Sequence, residues 1–142
     1  MDVLAITGYA LTPGHFSTQN FEVVSNGGQL FALLKPVYYM AKDGRLFRLR
    51  RGGQSDGISA PQIVQGARPA GGNDWAAGWF HDAGYRCWLE IWNGTEWVLA
   101  KLSKSECDAF LFECAEVCGD SLVMAETLFW AVTVFGKRSY QG

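Results

Sequence analysis

The chain has 142 residues, of which 49% are hydrophobic, 14% aromatic and 18% charged, with a formal net charge of −2. That length suits one domain, residues 1–142, with room for a real core. The absence of a long basic run argues against nucleic-acid binding.

Met1-Asp2-Val3-Leu4 lacks a basic n-region and an apolar h-region, so no signal peptide is expected and the site of action is the host cytoplasm or a virion. The longest apolar run, Leu122 to Phe135, contains Glu126 and is too short to span a bilayer. Whether the first thirty residues join the core or wrap a partner is open, and His15, between Gly14 and Phe16, reads as a loop residue.

Phe21 to Val24 alternates as a short strand, broken by Asn26-Gly27-Gly28. Leu30 to Leu34 is a second apolar run ending at Pro36. Val37 to Ala41 and Arg45 to Arg50 flank Lys42-Asp43-Gly44, a hairpin signal. Leu46 and Phe47 break the alternation, which leaves the facing of that strand open. From Gly52 to Gly72 the chain is rich in Gly, Ser, Ala, Pro and Gln, a length that favours a functional loop with a helical turn after Pro61.

Asn73 or Asp74 is placed to cap a helix running to about Tyr85, packed by Trp75, Trp79 and Phe80. Gly78 inside it implies close approach by another element. Trp88 to Trp92 and Thr95 to Leu99 surround Asn93-Gly94, the strongest hairpin signal. Ser103-Lys104-Ser105-Glu106 has capping-box spacing and opens a helix through Cys118, ended by Gly119. Asp120 or Ser121 then caps a last helix, Leu122 to Phe135. The expected fold class is α+β: a small antiparallel sheet with hairpins in the N-terminal half, about three helices in the C-terminal half, and a further hairpin near residues 88–99.

Cys107, Cys114 and Cys118 fall seven and four residues apart, on one stripe of a helix. With Cys87 they suit neither a zinc quartet nor a disulfide set, and buried free thiols account for them better. Six Trp exceed the needs of a minimal core. Trp92 and Trp97 in the hairpin are candidates for a contact surface, in a virion or a homo-oligomer.

Chemistry concentrates at His81-Asp82-Ala83-Gly84-Tyr85. The chain has only two His, and this one adjoins a carboxylate inside an apolar stretch. On a helix His81 and Tyr85 share a face, with Asp82 turned aside. Asp108 stands in the apolar surroundings of the next helix and is paired inside or at its edge. Paired with His81 it would fix the tautomer and stabilise the imidazolium, leaving the other nitrogen to activate a water. The catalytic candidates are therefore His81 and Asp108, supported by Asp82, Tyr85, Asp56 and Ser59. Asp82 is also the candidate ligand of a divalent cation such as calcium. A buried Asp56–His81–Asp108 network that only specifies the fold is the competing account.

The His81, Asp82, Tyr85 pattern with a distal Asp108 resembles the phospholipase A2 superfamily, where a helix carries His-Asp-x-x-Tyr and a neighbouring helix supplies an Asp to the His. That resemblance implies His81 as general base, Asp82 as calcium ligand, and lipid or another ester as substrate. The family's Cys-containing calcium loop and its disulfides have no counterpart here. From Val37 onward the chain resembles a phage- and prophage-associated domain family of unknown function, family 1353. The residues that carry this are Asp56-Gly57-Ile58-Ser59-Ala60-Pro61, the His81 motif, Ser103 to Asp108, and Phe135-Gly136. Relative to shorter members, the Trp88 to Leu99 hairpin is an insertion. This resemblance implies a viral or prophage origin and no particular reaction. Two functions stand: a phage-type hydrolase using a His-activated water, or a non-catalytic virion, tail or assembly component with a structural His/Asp cluster.

Overall fold

A computed structural model describes residues 1–25, 30–55, 75–119, 121–135 and 140–142. The expected break at Asn26-Gly27-Gly28, the Asp56 to Pro61 motif with Ser59, the caps at Asn73, Asp74 and Asp120, and Gly136 lie outside these residues.

In chain order the elements are α1 (Val3–Thr7), β1 (His15–Phe16), β2 (Val23–Ser25), β3 (Phe31–Leu33), β4 (Val37–Met40), β5 (Leu46–Leu49), β6 (Gln54–Ser55), α2 (Trp75–Tyr85), β7 (Glu90–Trp92), β8 (Trp97–Leu99), α3 (Lys104–Val117) and α4 (Leu122–Phe135). The architecture is α+β. The strands form two antiparallel sheets rather than one, ordered β1-β4-β5-β7-β8 and β2-β3-β6. The hairpin at Asn93-Gly94 joins the larger sheet at its edge, with Trp92 opposite Trp97.

β5 resolves the facing left open by Leu46 and Phe47. Tyr39 pairs with Phe47 and Tyr38 with Arg48. Strict alternation fails because both faces are covered, so Leu46, Phe47 and Leu49 are all buried. On one face Tyr39 and Phe47 stack against Phe110 of α3, and Tyr39 also meets Phe80 of α2. On the other, Arg48 pairs with Glu90 and lies 4.5 Å from the Trp97 ring, beside Tyr38. The smaller sheet meets the start of α2 through Phe31 on Trp75, with Phe21 on Trp79 beside it.

The three large helices pack in sequence, α2 on α3 and α3 on α4. Ser103 caps α3 through the expected capping box with Glu106, and Gly119 leaves the helix with φ +96°, the left-handed geometry that Gly adopts without strain. Cys107, Cys114 and Cys118 are buried free thiols on its core stripe, whereas Cys87 is exposed. Gly84 is a place of close approach between α2 and α3, where an added Cβ would lie 2.9 Å from Cys107 Sγ. α4 buries Ala125, Leu128, Ala131 and Val132 and leaves Leu122, Val123, Trp130 and Val134 exposed. Glu126 sits on its exposed side.

α1, β1 and β6 are additions to the expected elements. Five residues capped by Asp2, and strands of two residues, are too short for periodicity to register. His15, expected in a loop, opens β1 opposite Met40, with Nδ1 3.0 Å from Thr12 Oγ1. No helix among the described residues is long and apolar enough to cross a membrane.

Candidate functional site

Every described residue of α2 after Trp75 is buried, including His81 and Asp82. A helix enclosed on all sides must pair its polar groups internally. α3 supplies the partner: Asp108, one turn into the helix after the Ser103 cap and 2% exposed. His81 Nε2 lies 3.1 Å from Asp108 Oδ1, and Tyr85 Oη donates to the same oxygen. The two α2 rings stack with centroids 4.1 Å apart, as expected of neighbours four residues apart.

The other carboxylate oxygen, Oδ2, accepts from Lys104 Nζ at 2.7 Å. The same ammonium donates to the Val132 carbonyl at 2.9 Å and lies 3.4 Å from that of Thr133. These belong to the last turn of α4, whose carbonyls lack partners within the helix. Asp108 thus gathers α2, its own helix and α4 around one buried charge. Lys104 was absent from the residues inferred from sequence. Its signal was there in the four-residue spacing to Asp108, which places both on one helix face.

Burial alone pushes the Asp108 carboxyl upward. The hydrogen bonds from His81, Lys104 and Tyr85 outweigh it and hold the group below its ordinary value, so Asp108 is a carboxylate. Burial first, and then the bond to Asp108, raises Tyr85 well above the usual phenol range. An ionised Asp108 only accepts hydrogen bonds, so His81 Nε2 carries a proton and donates it.

Asp82 takes another direction. Its Oδ1 lies 3.0 Å from Arg86 Nε in an i,i+4 ion pair, with the carboxylate buried and the guanidinium at the surface. A guanidinium therefore occupies one of the oxygens proposed for a cation. Among the described residues no group of three His, Cys, Asp or Glu is gathered in a metal-binding arrangement.

Beyond the cluster, a groove of about 280 Å3 between α3 and α4 is lined by Lys104, Ser105, Asp108, Phe129 and Thr133. The chain end closes another flank: Tyr140 packs on Tyr85 and donates to the Leu102 carbonyl at 2.7 Å, while Gln141 N donates to the Tyr85 carbonyl at 2.8 Å. Trp92 and Trp97 meet edge to face in the hairpin, only partly buried.

The structure thus brings together His81, Tyr85 and Asp108, adds Lys104, and pairs Asp82 with Arg86. Asp56 and Ser59 lie outside the described residues. A family model described as protein of unknown function (DUF1353) matches residues 31–132, a span that contains the whole cluster. No curated protein and no solved structure matches the chain.

Proposed function

The chain belongs to the DUF1353 family, and on that premise we propose that it is a hydrolase whose general base is His81. The observation that carries this reading is the hydrogen bond from His81 Nε2 to the buried carboxylate of Asp108. A carboxylate behind one imidazole nitrogen fixes the tautomer and stabilises the cation that forms when the other nitrogen takes a proton. Nδ1 then removes a proton from water as the oxygen bonds to an ester carbonyl carbon, and the imidazolium returns that proton to the leaving alkoxide as the ester C–O bond breaks, giving acid and alcohol with the base restored. Asp108 orients the ring and Tyr85 fixes Asp108. An ester, lipid included, is the substrate class that the likeness to phospholipase A2 favours. Arg86 already places a positive charge beside Asp82, so the reading routes no step through a metal.

The test uses the full chain with short-chain nitrophenyl esters and phosphatidylcholine vesicles, with and without calcium. Wild type hydrolyses at least one of them, and His81→Asn, still folded by circular dichroism, loses about a hundredfold or more. A wild type no faster than buffer on every ester, or a His81→Asn variant as fast as wild type, defeats the proposal.

One observation favours a second reading, a virion or assembly component of phage origin. His81, at 5% exposed, and Asp108, at 2%, are buried as deeply as core residues, and α4 turns Leu122, Val123, Trp130 and Val134 outward. Under this reading the cluster specifies the packing of three helices, and the outward face meets other subunits. It expects no ester hydrolysis and a concentration-dependent oligomer in sedimentation velocity. A strict monomer counts against it.

A further inference from the structure

We propose that the chain assembles head to tail with a second copy of itself: the cationic end of the larger sheet in one copy docks on the acidic and apolar tip of the α3–α4 pair in the next. The proposal rests on the assembly reading above, which it extends by naming the two contacting surfaces. It makes no use of ester hydrolysis.

The register of the larger sheet gathers the cations. Val37 lies opposite Leu49, Arg48 opposite Glu90, and Glu90 opposite Leu99. Lys35, Arg50, Arg51 and Lys101 follow just beyond those pairs, so the antiparallel strands bring them to one end of the sheet. All are exposed. Lys35 is matched by Glu22 at 3.1 Å. Arg50, Arg51 and Lys101 enter no ion pair among the described residues. Arg50 instead stands 5.9 Å from the Trp88 ring. Leu34 and Leu99, both exposed, adjoin these charges in the chain.

α3 and α4 supply the opposite sign. No Lys or Arg falls between Lys104 and Lys137, a stretch that holds Glu113, Glu116 and Glu126. The short connection from Cys118 to Ser121 folds α4 back on α3. Glu116, in the last turn of one helix, and Glu126, near the start of the other, therefore fall at the same end of the pair. That last turn has no basic residue to offset its own carbonyls. Glu116 and Glu126 enter no ion pair among the described residues. Leu122 and Val123, at the same end, are exposed.

Each surface carries what the other lacks: uncompensated charge of one sign beside exposed aliphatic side chains. Exposed ion pairs alone contribute little. Burial of Leu122 and Val123 against Leu34 and Leu99 supplies the affinity, and the charges set orientation and reject like faces. A two-fold contact through either surface would set Arg50 against Arg50, or Glu126 against Glu126. Unlike surfaces instead meet head to tail, and the assembly closes as a ring or continues as a filament.

The experiment is sedimentation velocity of the full chain over a concentration series, in low and in near-molar salt. Wild type is expected to associate at low salt and to dissociate at high salt, where surface charges are screened. Arg50→Glu with Arg51→Glu, and separately Glu116→Lys with Glu126→Lys, should each weaken self-association by about tenfold or more. An equal mixture of the two variants should associate again, because each reversed face meets a reversed face of opposite sign. Circular dichroism checks that each variant folds. Should Arg50→Glu disturb the packing at Trp88, Arg51→Glu with Lys101→Glu reverses the same pole. A strict monomer at every concentration overturns this inference and the assembly reading together. An oligomer indifferent to salt and to both reversals overturns this inference and keeps the assembly reading. A mixture that stays dissociated overturns it too, because the two poles would then not be partners.

Discussion

Tyr85 and His81, one helical turn apart on α2, donate to the same oxygen of Asp108. Asp108 is therefore both the orienting group of the imidazole and the tie between two helices. A change at Asp108 should register in stability as well as in chemistry.

Asp108→Ala leaves an ammonium, a phenol and an imidazole facing a small cavity. Breaking a buried charge pair from one side costs about 3–5 kcal/mol, and urea unfolding should show a loss of that order. Asp108→Asn keeps one acceptor oxygen and should lose less. A loss below about 1 kcal/mol for Asp108→Ala would mean that the hydrogen bonds contribute little to the fold.

Asp108 also gives the fold a dependence on acid. Its folded carboxyl lies below the ordinary value of 3.8, so the unfolded chain binds more protons at that position. The contribution is fully present above that value and is lost as pH falls through the folded one. Glu106 is lowered too, by the backbone and side-chain bonds at Ser103, so Asp108 supplies only part of the slope. Urea midpoints measured from about pH 6 to about pH 2 should fall more gently in Asp108→Asn than in wild type. Equal slopes would remove Asp108 from the acid response.

Much of this arrangement was legible in the sequence because its signals are local. The capping box at Ser103 and Glu106, the Asn93-Gly94 turn and the four-residue step from His81 to Tyr85 fix geometry over a few residues. The meeting of His81 with Asp108 could be inferred because a carboxylate amid apolar neighbours must find a partner. The pairs Asp82–Arg86 and Lys104–Asp108 are four-residue steps and so are local signals too. What the sequence does not carry is the long-range part, the Val132 and Thr133 carbonyls of α4 that meet the Lys104 ammonium. The split into two sheets is not legible in the sequence because β6 has only two residues, and strands of that length carry no alternation.

Gly84 carries a packing constraint between α2 and α3. A Cβ there would meet Cys107 Sγ at 2.9 Å, closer than such atoms approach in folded proteins. Gly84→Ala should therefore lose about 1–3 kcal/mol despite Ala's better helix propensity. Cys107→Ala removes the obstructing sulfur, so the double variant should lose less than the sum of the two single changes. Additive losses in a double-mutant cycle would mean that the helices meet elsewhere.

The thiols report on the same packing. Cys87 is exposed, whereas Cys107, Cys114 and Cys118 are buried. Burial also raises Cys107 to about 12 and pushes Cys114 well above its ordinary value. The thiolate is the reactive form, so these groups are doubly protected in the folded chain. A disulfide-exchange reagent at mildly alkaline pH should find one fast thiol in the native protein and four after denaturation. Cys87→Ser should abolish the fast phase and leave the slow phase unchanged. A second fast thiol in wild type would place part of the α3 stripe at the surface, and the enclosure of Asp108 would have to be reconsidered with it.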